Sequence, residues 1–185
     1  MESFEIFSDG KLPKKISERY GRELSLRERL KYRIFGIGFF KPVPGQENLL
    51  SKLFEHSNNT IRPHLDQLTN GLIFRLVGIK ETTALVIPYS EIERIVLTRQ
   101  PDTVKAIAFS PFWILLKLGF NYKHVYWLSA WYEFKWGAIE VTLKLVEHSP
   151  IQLVWDRRRE RAVERFFASQ FLKEKSSNGE ILSRA

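Results

Sequence analysis

The sequence predicts an α+β protein built mainly of antiparallel β-strands and completed by a C-terminal amphipathic helix. Three observations lead to this prediction. Short apolar segments alternate with turn residues between positions 71 and 155, an amphipathic pattern follows at 157–171, and a capped helix stands near the N-terminus. Several short strands at this spacing are typical of an antiparallel barrel or sandwich. The chain is 44% hydrophobic over 185 residues, which is enough to bury a sizeable core.

Residues 1–43 are predicted to form a basic N-terminal arm with one short helix. Ser25-Leu26-Arg27-Glu28 has the S-x-x-E form of a capping box, in which the serine and glutamate side chains each bond a free backbone N–H group. A helix is therefore expected at 26–33. Gly36 and Gly38 interrupt the helical periodicity, so a short strand is expected at 34–40.

Two further short elements are expected before the main β-region. Residues 46–56 place four apolar side chains on one helical face, namely Leu49, Leu50, Leu53 and Phe54. Pro63 fits the first turn of a short helix that ends near Leu68, and a strand through this segment is the alternative.

From position 71 the apolar pattern changes from helical spacing to that of strands. Candidate strands lie at 71–80, 84–88, 91–97, 104–109, 113–118, 124–134, 138–146 and 151–155. Turn residues separate them, among them Pro101-Asp102, Ser110-Pro111, Gly119, Gly137 and Ser149-Pro150. The number of strands and their spacing indicate antiparallel pairing.

The last predicted element is an amphipathic helix of about four turns at 157–171, with Asp156 as its N-cap. Its apolar face carries Val163, Phe166, Phe167 and Phe171. Because each buried phenylalanine contributes roughly 1.5–3 kcal/mol, this helix is expected to close one end of the β-structure. Residues 174–185 are predicted to form a flexible tail.

Composition narrows the classes of function. The formal charge of +8 favours an anionic partner such as nucleic acid, an acidic protein or lipid headgroups. The chain has no cysteine, which excludes disulfides, thiolate zinc sites and cysteine nucleophiles. A bilayer span needs about 20 consecutive apolar residues, and no segment reaches that length. The expected localisation is therefore the cytoplasm. If the chain binds a membrane, it is expected to do so as a peripheral protein.

Five segments carry a resemblance to a known family. They are Gly71-Leu72-Ile73-Phe74, Ile87-Pro88-Tyr89-Ser90-Glu91-Ile92-Glu93-Arg94-Ile95, Trp136-Gly137-Ala138-Ile139-Glu140-Val141-Thr142-Leu143, Pro150-Ile151-Gln152-Leu153-Val154-Trp155 and the helix at 157–171. Their order resembles the pleckstrin-homology-like (PH-like) superfold, specifically the GRAM and bacterial PH-like domains. The resemblance covers residues 44–173 as one domain. It implies a strongly bent, seven-stranded sheet capped by the helix, with residues 1–43 as an extension. It also implies membrane or protein binding rather than catalysis.

An aromatic cluster occupies the middle of the chain, where 11 of the 25 aromatic residues fall between positions 109 and 136. Candidate interface residues in it are Trp113, Tyr126, Trp127, Trp131, Tyr132 and Trp136. Tryptophan and tyrosine suit a boundary between apolar and wet surroundings, which fits a membrane or a protein interface, including self-association. The alternatives are a wide core and a small-ligand or enzymatic pocket among Trp113, Tyr126, Trp127 and Trp131.

Two basic groups are candidates for anion binding. One is the run Arg157, Arg158, Arg159 and Arg161, and the other is the N-terminal set Lys14, Lys15 and Arg19. For the arginine run, a solvated helix face partly neutralised by Glu160 and Glu164 is the alternative. The histidines lack metal-site spacing, and no phosphate loop or G-x-S-x-G motif is present. No catalytic residue, metal or cofactor is therefore predicted.

These observations favour a non-enzymatic PH-like binding module that engages a protein partner or an anionic membrane surface. The basic residues would meet anions, and the aromatic segment would make the apolar contact. A small-ligand or enzymatic pocket is one alternative, and nucleic-acid binding through charge and stacked aromatics is another.

Overall fold

The computed structural model describes residues 2–6, 12–43, 48–55, 62–77, 82–169 and 171–172. Its strands are β1 (Glu2–Ile6), β2 (Ile37–Gly38), β3 (Lys41–Pro42), β4 (Arg62–Gln67), β5 (Gly71–Val77), β6 (Thr82–Pro88), β7 (Ile92–Arg99), β8 (Thr103–Val104), β9 (Phe134–Lys135), β10 (Ala138–Leu145) and β11 (Ile151–Asp156). Its α-helices are α1 (Lys14–Tyr20), α2 (Leu26–Tyr32), α3 (Leu49–Glu55), α4 (Pro111–Lys117), α5 (Tyr122–Val125) and α6 (Glu160–Phe167). Single 3-10 turns lie at 89–91, 126–128 and 157–159. The predicted tail at 174–185 lies outside the described residues.

The first sheet has five antiparallel strands in the order β1-β6-β5-β4-β2. Its middle strand, β5, is buried on both faces. Phe74 and its neighbours at every second position belong to the main core, whereas Ile73 packs with Ile16 and Tyr20 of α1 in a second cluster. Burial on both sides explains why β5 is apolar at every position except Arg75 rather than alternating.

The second sheet has four antiparallel strands in the order β3-β11-β10-β7. Strands β10 and β11 alternate cleanly; in β10, Ile139, Val141, Leu143 and Leu145 are buried and the residues between them are not. That alternation is typical of a sheet with one face on the core and one face towards water.

The two sheets share one hydrophobic core with the C-terminal helix. Trp155 of β11 and Phe74 of β5 both contact Phe40, with ring centroids 5.5 Å and 5.8 Å apart. Phe167 of α6 packs its ring 6.2 Å from that of Trp155. The protein is therefore α+β and mainly antiparallel, as predicted, and in the described part of the chain neither sheet closes on itself.

The N-terminal segment is more structured than its sequence indicated. The expected helix is present as α2, and its capping box forms between Ser25 and Glu28. In addition, β1 pairs with β6 along the edge of the first sheet, and α1 buries Ile16 and Tyr20. The predicted strand at 34–40 shortens to β2.

Three predicted elements were wrong, and a fourth, the strand at 104–109, is reduced to the two-residue strand β8. The segment at 63–68, favoured as a helix, is strand β4, which was the alternative. The predicted strands at 113–118 and 124–134 are replaced by α4, α5 and the 3-10 turn that follows. Ser110 and Asn121 explain the helices, because each side chain caps a helix start by accepting from a backbone N–H group, that of Trp113 or Lys123.

The C-terminal helix is present but shorter than predicted. A 3-10 turn at 157–159 precedes it, and α6 ends at Phe167. Asp156 caps this turn by accepting from the Arg158 N–H group at 2.9 Å. As expected, Val163, Phe166 and Phe167 are buried. Among the described residues, no helix has both the length and the apolarity needed to cross a membrane.

Candidate functional site: an aromatic lobe

Residues 100–137 form a separate structural unit, here called the aromatic lobe. It is inserted between β7 and β10, which are direct neighbours in the second sheet. The chain leaves and returns at one point, where Gln100 donates to the Ala138 carbonyl at 2.9 Å. Gly137 makes this crossing possible, because a Cβ atom there would lie 2.0 Å from the Gln100 carbonyl oxygen. The lobe is thus a long insertion in the connection between two strands that would otherwise form a β-hairpin.

The lobe has a small core of its own. Phe112 of α4, Val125 of α5 and Phe134 of β9 are buried together. Around them pack five partly buried side chains, those of Ala106, Leu115, Leu116, Tyr122 and Trp136. Because one buried cluster holds two short helices and a two-stranded ribbon, the lobe presents a defined surface rather than a loose loop.

Glu133 fastens the loops of the lobe together. Its carboxylate accepts hydrogen bonds from the Ser110 hydroxyl at 2.6 Å and from the N–H groups of Ile107 and Ala130, both at 2.8 Å. The bond from Ser110, together with those from the two backbone groups, lowers the pKa of Glu133 despite its burial. Glu133 is therefore a structural anion, saturated by donors of the lobe.

Asp102 fastens the lobe to the body of the protein. Its carboxylate accepts from the Gly137 N–H group at 2.9 Å, the Tyr122 hydroxyl at 3.1 Å and Arg157 Nη1 at 2.5 Å. Burial alone would raise the pKa of Asp102, but the hydrogen bonds and the charge of Arg157 outweigh it and lower the pKa. Since Arg157 precedes α6, this ion pair joins the base of the lobe to the C-terminal helix.

The outer surface of the lobe is unusually apolar. The described part of the chain exposes sixteen large apolar side chains, and ten of them lie in the lobe. The ten are Val104, Ile107, Phe109, Ile114, Leu118, Phe120, Tyr126, Trp127, Trp131 and Tyr132. Phe109 is 82% exposed, Trp131 79% and Trp127 70%. Ten exposed large apolar side chains on one small unit indicate an interaction site, because exposed apolar surface is unfavourable in water.

The exposed charges of the lobe are all positive. Its four lysines, Lys105, Lys117, Lys123 and Lys135, are exposed. Its two acidic residues are Asp102 and Glu133, and both carboxylates are occupied by structural donors. Two of the lysines lie against tryptophans, with Lys117 Nζ 5.7 Å from the ring centre of Trp113 and Lys135 Nζ 6.0 Å from that of Trp131. Aromatic rings and ammonium groups therefore lie next to each other at two places on the lobe.

The lobe contains all six aromatic residues predicted as interface residues. Tyr126, Trp127, Trp131 and Tyr132 are exposed, and Trp113 and Trp136 are half-buried. Two of the side chains assigned to a possible pocket, Trp127 and Trp131, are too exposed to form the walls of an enclosed cavity. The aromatic cluster is thus divided, with Phe112 and Phe134 buried inside the lobe, Trp113 and Trp136 half-buried, and Trp127 and Trp131 exposed on its surface.

The predicted anion-binding residues separate into three groups. Arg157 is occupied by Asp102 and Glu160, so it holds the lobe in place. Arg158, Arg159 and Arg161 lie beside it at the start of α6, where Arg158 is exposed and Arg159 stacks 4.5 Å above the ring of Phe39. Lys14, Lys15 and Arg19 lie on α1, which packs against β6 of the first sheet.

Sequence reasoning missed two features of the site. Phe109 and Phe120 were counted in the aromatic cluster but not among its candidate interface residues, and Leu118 was not considered, although all three are strongly exposed. Ser110-Pro111, taken only as a turn, is an N-cap followed by proline at the first helical position, and that pair would have indicated a helix.

Comparison with known proteins leaves the family open, because no family model, curated protein or solved structure matches the chain. Within the described residues, no group of three or more metal-ligating side chains comes together. The functional argument therefore rests on the surface of the lobe.

Proposed function

We propose that the chain is a non-enzymatic, PH-like binding module that docks on an anionic membrane surface through the aromatic lobe. Two antiparallel sheets that share a core with a C-terminal helix support the PH-like assignment. In that assignment the lobe is an insertion between two neighbouring strands of the second sheet, and the body serves as its rigid support.

The main support for membrane docking is that exposed aromatic side chains and lysines share one unit that has no free carboxylate. Tryptophan and tyrosine partition to the headgroup level of a bilayer, where the ring is apolar and the polar edge stays wet. Each lysine near an anionic leaflet adds roughly 1 kcal/mol, and no acidic side chain opposes them here. A protein partner would satisfy the apolar surface equally well, but the uniform positive charge favours anionic lipid.

A binding module is favoured over an enzyme because the buried carboxylates of the lobe already accept hydrogen bonds from other groups of the protein. A general base needs a free lone pair directed at a substrate. Glu133 instead accepts three hydrogen bonds, and Asp102 accepts three others. Both carboxylates hold the fold of the lobe, which leaves its outer surface for recognition.

Flotation with liposomes tests this proposal. The protein is expected to float with phosphatidylserine-containing vesicles and much less with pure phosphatidylcholine vesicles. High salt should weaken the binding, because it screens the lysines. Replacing Trp127 and Trp131 together by serine should lower the affinity at least about tenfold, since apolar area is lost from the contact.

Leu26→Ser is the matched control, because Leu26 is 70% exposed but lies on α2, outside the lobe. It should leave flotation unchanged. Absence of flotation with every lipid composition would overturn membrane docking and leave the protein-partner version. Wild-type flotation of the double tryptophan variant would show that the lobe is not the docking surface.

A further inference from the structure

A second candidate site lies outside the lobe, in a groove of about 350 Å³ between β2 and α6. Ile37 and Phe166 form its buried, apolar floor. Its remaining lining residues are Arg33, Phe35, Gly36, Ala162 and Arg165. The groove thus combines an apolar base with two guanidinium groups at its rim, and its volume is in the range of small-ligand sites.

The two arginines of the groove have no carboxylate partner among the described residues. The helix explains this for Arg165, because both glutamates of α6, Glu160 and Glu164, pair with Arg99 of β7. The acidic face of α6 therefore points to the second sheet, while Arg165 and Ala162 line the groove. The predicted neutralisation of the arginine-rich helix by its own glutamates does not extend to this side.

Arg33 is brought to the groove by the way α2 ends. It is the C-cap residue, with φ of 54° and its N–H group bonded to the Arg29 and Leu30 carbonyls. This left-handed conformation is uncommon for a residue with a side chain. It reverses the chain so that Arg33 and Phe35 lie opposite α6. Phe35 remains 52% exposed, so the rim is apolar as well as cationic.

We propose that this groove binds a single-chain amphiphile with an anionic oxygen headgroup, either a carboxylate or a phosphate monoester. The headgroup would accept hydrogen bonds from Arg33 and Arg165, whose planar guanidinium groups suit both anions. The chain would lie along Ile37, Ala162 and Phe166 and remove them from water. Inorganic phosphate alone leaves this apolar floor wet, and a neutral amphiphile leaves the arginines unpaired. This site does not depend on the function proposed for the lobe.

Calorimetric titration with three short amphiphiles tests the proposal. Dodecyl phosphate and dodecanoate, each below its critical micelle concentration, are expected to bind once per chain. The tighter of the two identifies the headgroup. Dodecyl maltoside and inorganic phosphate should each bind at least about tenfold more weakly, because each offers only half of the recognition. Equal binding of dodecyl maltoside would overturn the proposal.

Variants then assign the binding to the groove. Arg165→Gln and Arg33→Gln should each weaken dodecyl phosphate at least about tenfold, and Ala162→Trp should block the chain without changing the charge. Arg158→Gln, which removes an exposed arginine outside the groove, is the matched control and should bind like the wild type. In the wild-type protein, amide resonances of Gly36, Ile37 and Ala162 should shift on titration. Shifts confined to residues 100–137, or wild-type affinity in Ala162→Trp, would overturn the assignment.

Discussion

Two exposed phenylalanines hold a backbone conformation that side chains usually avoid. Phe39 has φ of 60° and Phe109 has φ of 67°, and they are 66% and 82% exposed. Such a conformation costs roughly 1–2 kcal/mol for a residue other than glycine, and it is concentrated at functional sites. Since both rings are exposed, burial of apolar surface does not offset this conformational free energy. Phe109, whose ring lies 5.4 Å from that of Trp113, is the more exposed of the two.

Replacing Phe109 by asparagine should separate stability from binding. Asparagine accepts the left-handed region more readily, so the free energy of unfolding should stay the same or rise by up to about 1 kcal/mol. Flotation with phosphatidylserine vesicles should fall, because the most exposed ring of the lobe is lost. Thermal unfolding followed by circular dichroism gives the first quantity, and the flotation assay gives the second.

Phe120→Asn is the control for this experiment, because Phe120 is also exposed in the lobe but has no left-handed backbone. It should weaken flotation without the gain in stability. A marked loss of stability in Phe109→Asn would show that the ring belongs to the packing of the lobe rather than to an interface.

At the scale of single elements, a capping motif and helical periodicity each predicted one helix correctly. The capping box of α2 and the four-residue apolar set of α3 placed both helices correctly. In α4, a nearly continuous apolar run fits a buried strand and a helix alike, so its period decides nothing. The pair Ser110-Pro111 does decide it. The segment at 63–68 was wrongly predicted as a helix from a local signal. Proline is common in the first turn of a helix, but it is also found near the start of a strand, so Pro63 fits both structures.

The buried face of the C-terminal helix is expected to be essential for the stability of the protein. Phe167 is 1% exposed and packs on Phe166 and Trp155. Phe167→Asp should unfold the protein, because loss of a buried phenylalanine costs about 3–5 kcal/mol and the variant also buries an unpaired carboxylate. Natural domains have only about 5–15 kcal/mol to lose. Circular dichroism should show no cooperative melting transition.

Arg161→Asp is the matched change on the exposed side of α6 and should keep the native transition. If Phe167→Asp kept that transition as well, the helix would not be part of the core.

At the scale of the whole molecule, the arrangement of strands was beyond sequence reasoning. Apolar strand patterns identified β5, β7, β10 and β11, but the split into two sheets depends on contacts between distant segments. The lobe was missed for the same reason, since nothing local states that β7 pairs with β10 across an insertion. The ion pair of Asp102 and Arg157 that joins the lobe to the body spans 55 positions of the chain. Such a pair leaves no local pattern.

The lobe and the body should respond differently to acid. Among the described residues, the lobe core has three buried apolar side chains, whereas the main core has 22. The lobe also depends on two carboxylates, Asp102 and Glu133, whose pKa values lie below their ordinary values of 3.8 and 4.5. Their stabilisation is complete above those ordinary values and is lost as the pH falls through the lower values of the folded state.

We therefore expect the lobe to open as the pH falls through the lowered pKa values of Asp102 and Glu133, while the body stays folded. Four of the five tryptophans lie in the lobe, and the fifth, Trp155, is buried in the main core. Tryptophan fluorescence should consequently change at a higher pH than the far-ultraviolet circular dichroism of the sheets. Glu133→Gln should weaken the lobe already at neutral pH and reduce the acid-induced change in fluorescence. Glu93→Gln, at an exposed site on β7, should behave like the wild type. Coincident fluorescence and dichroism transitions in the wild type would contradict this, because they would make the lobe and the body one cooperative unit.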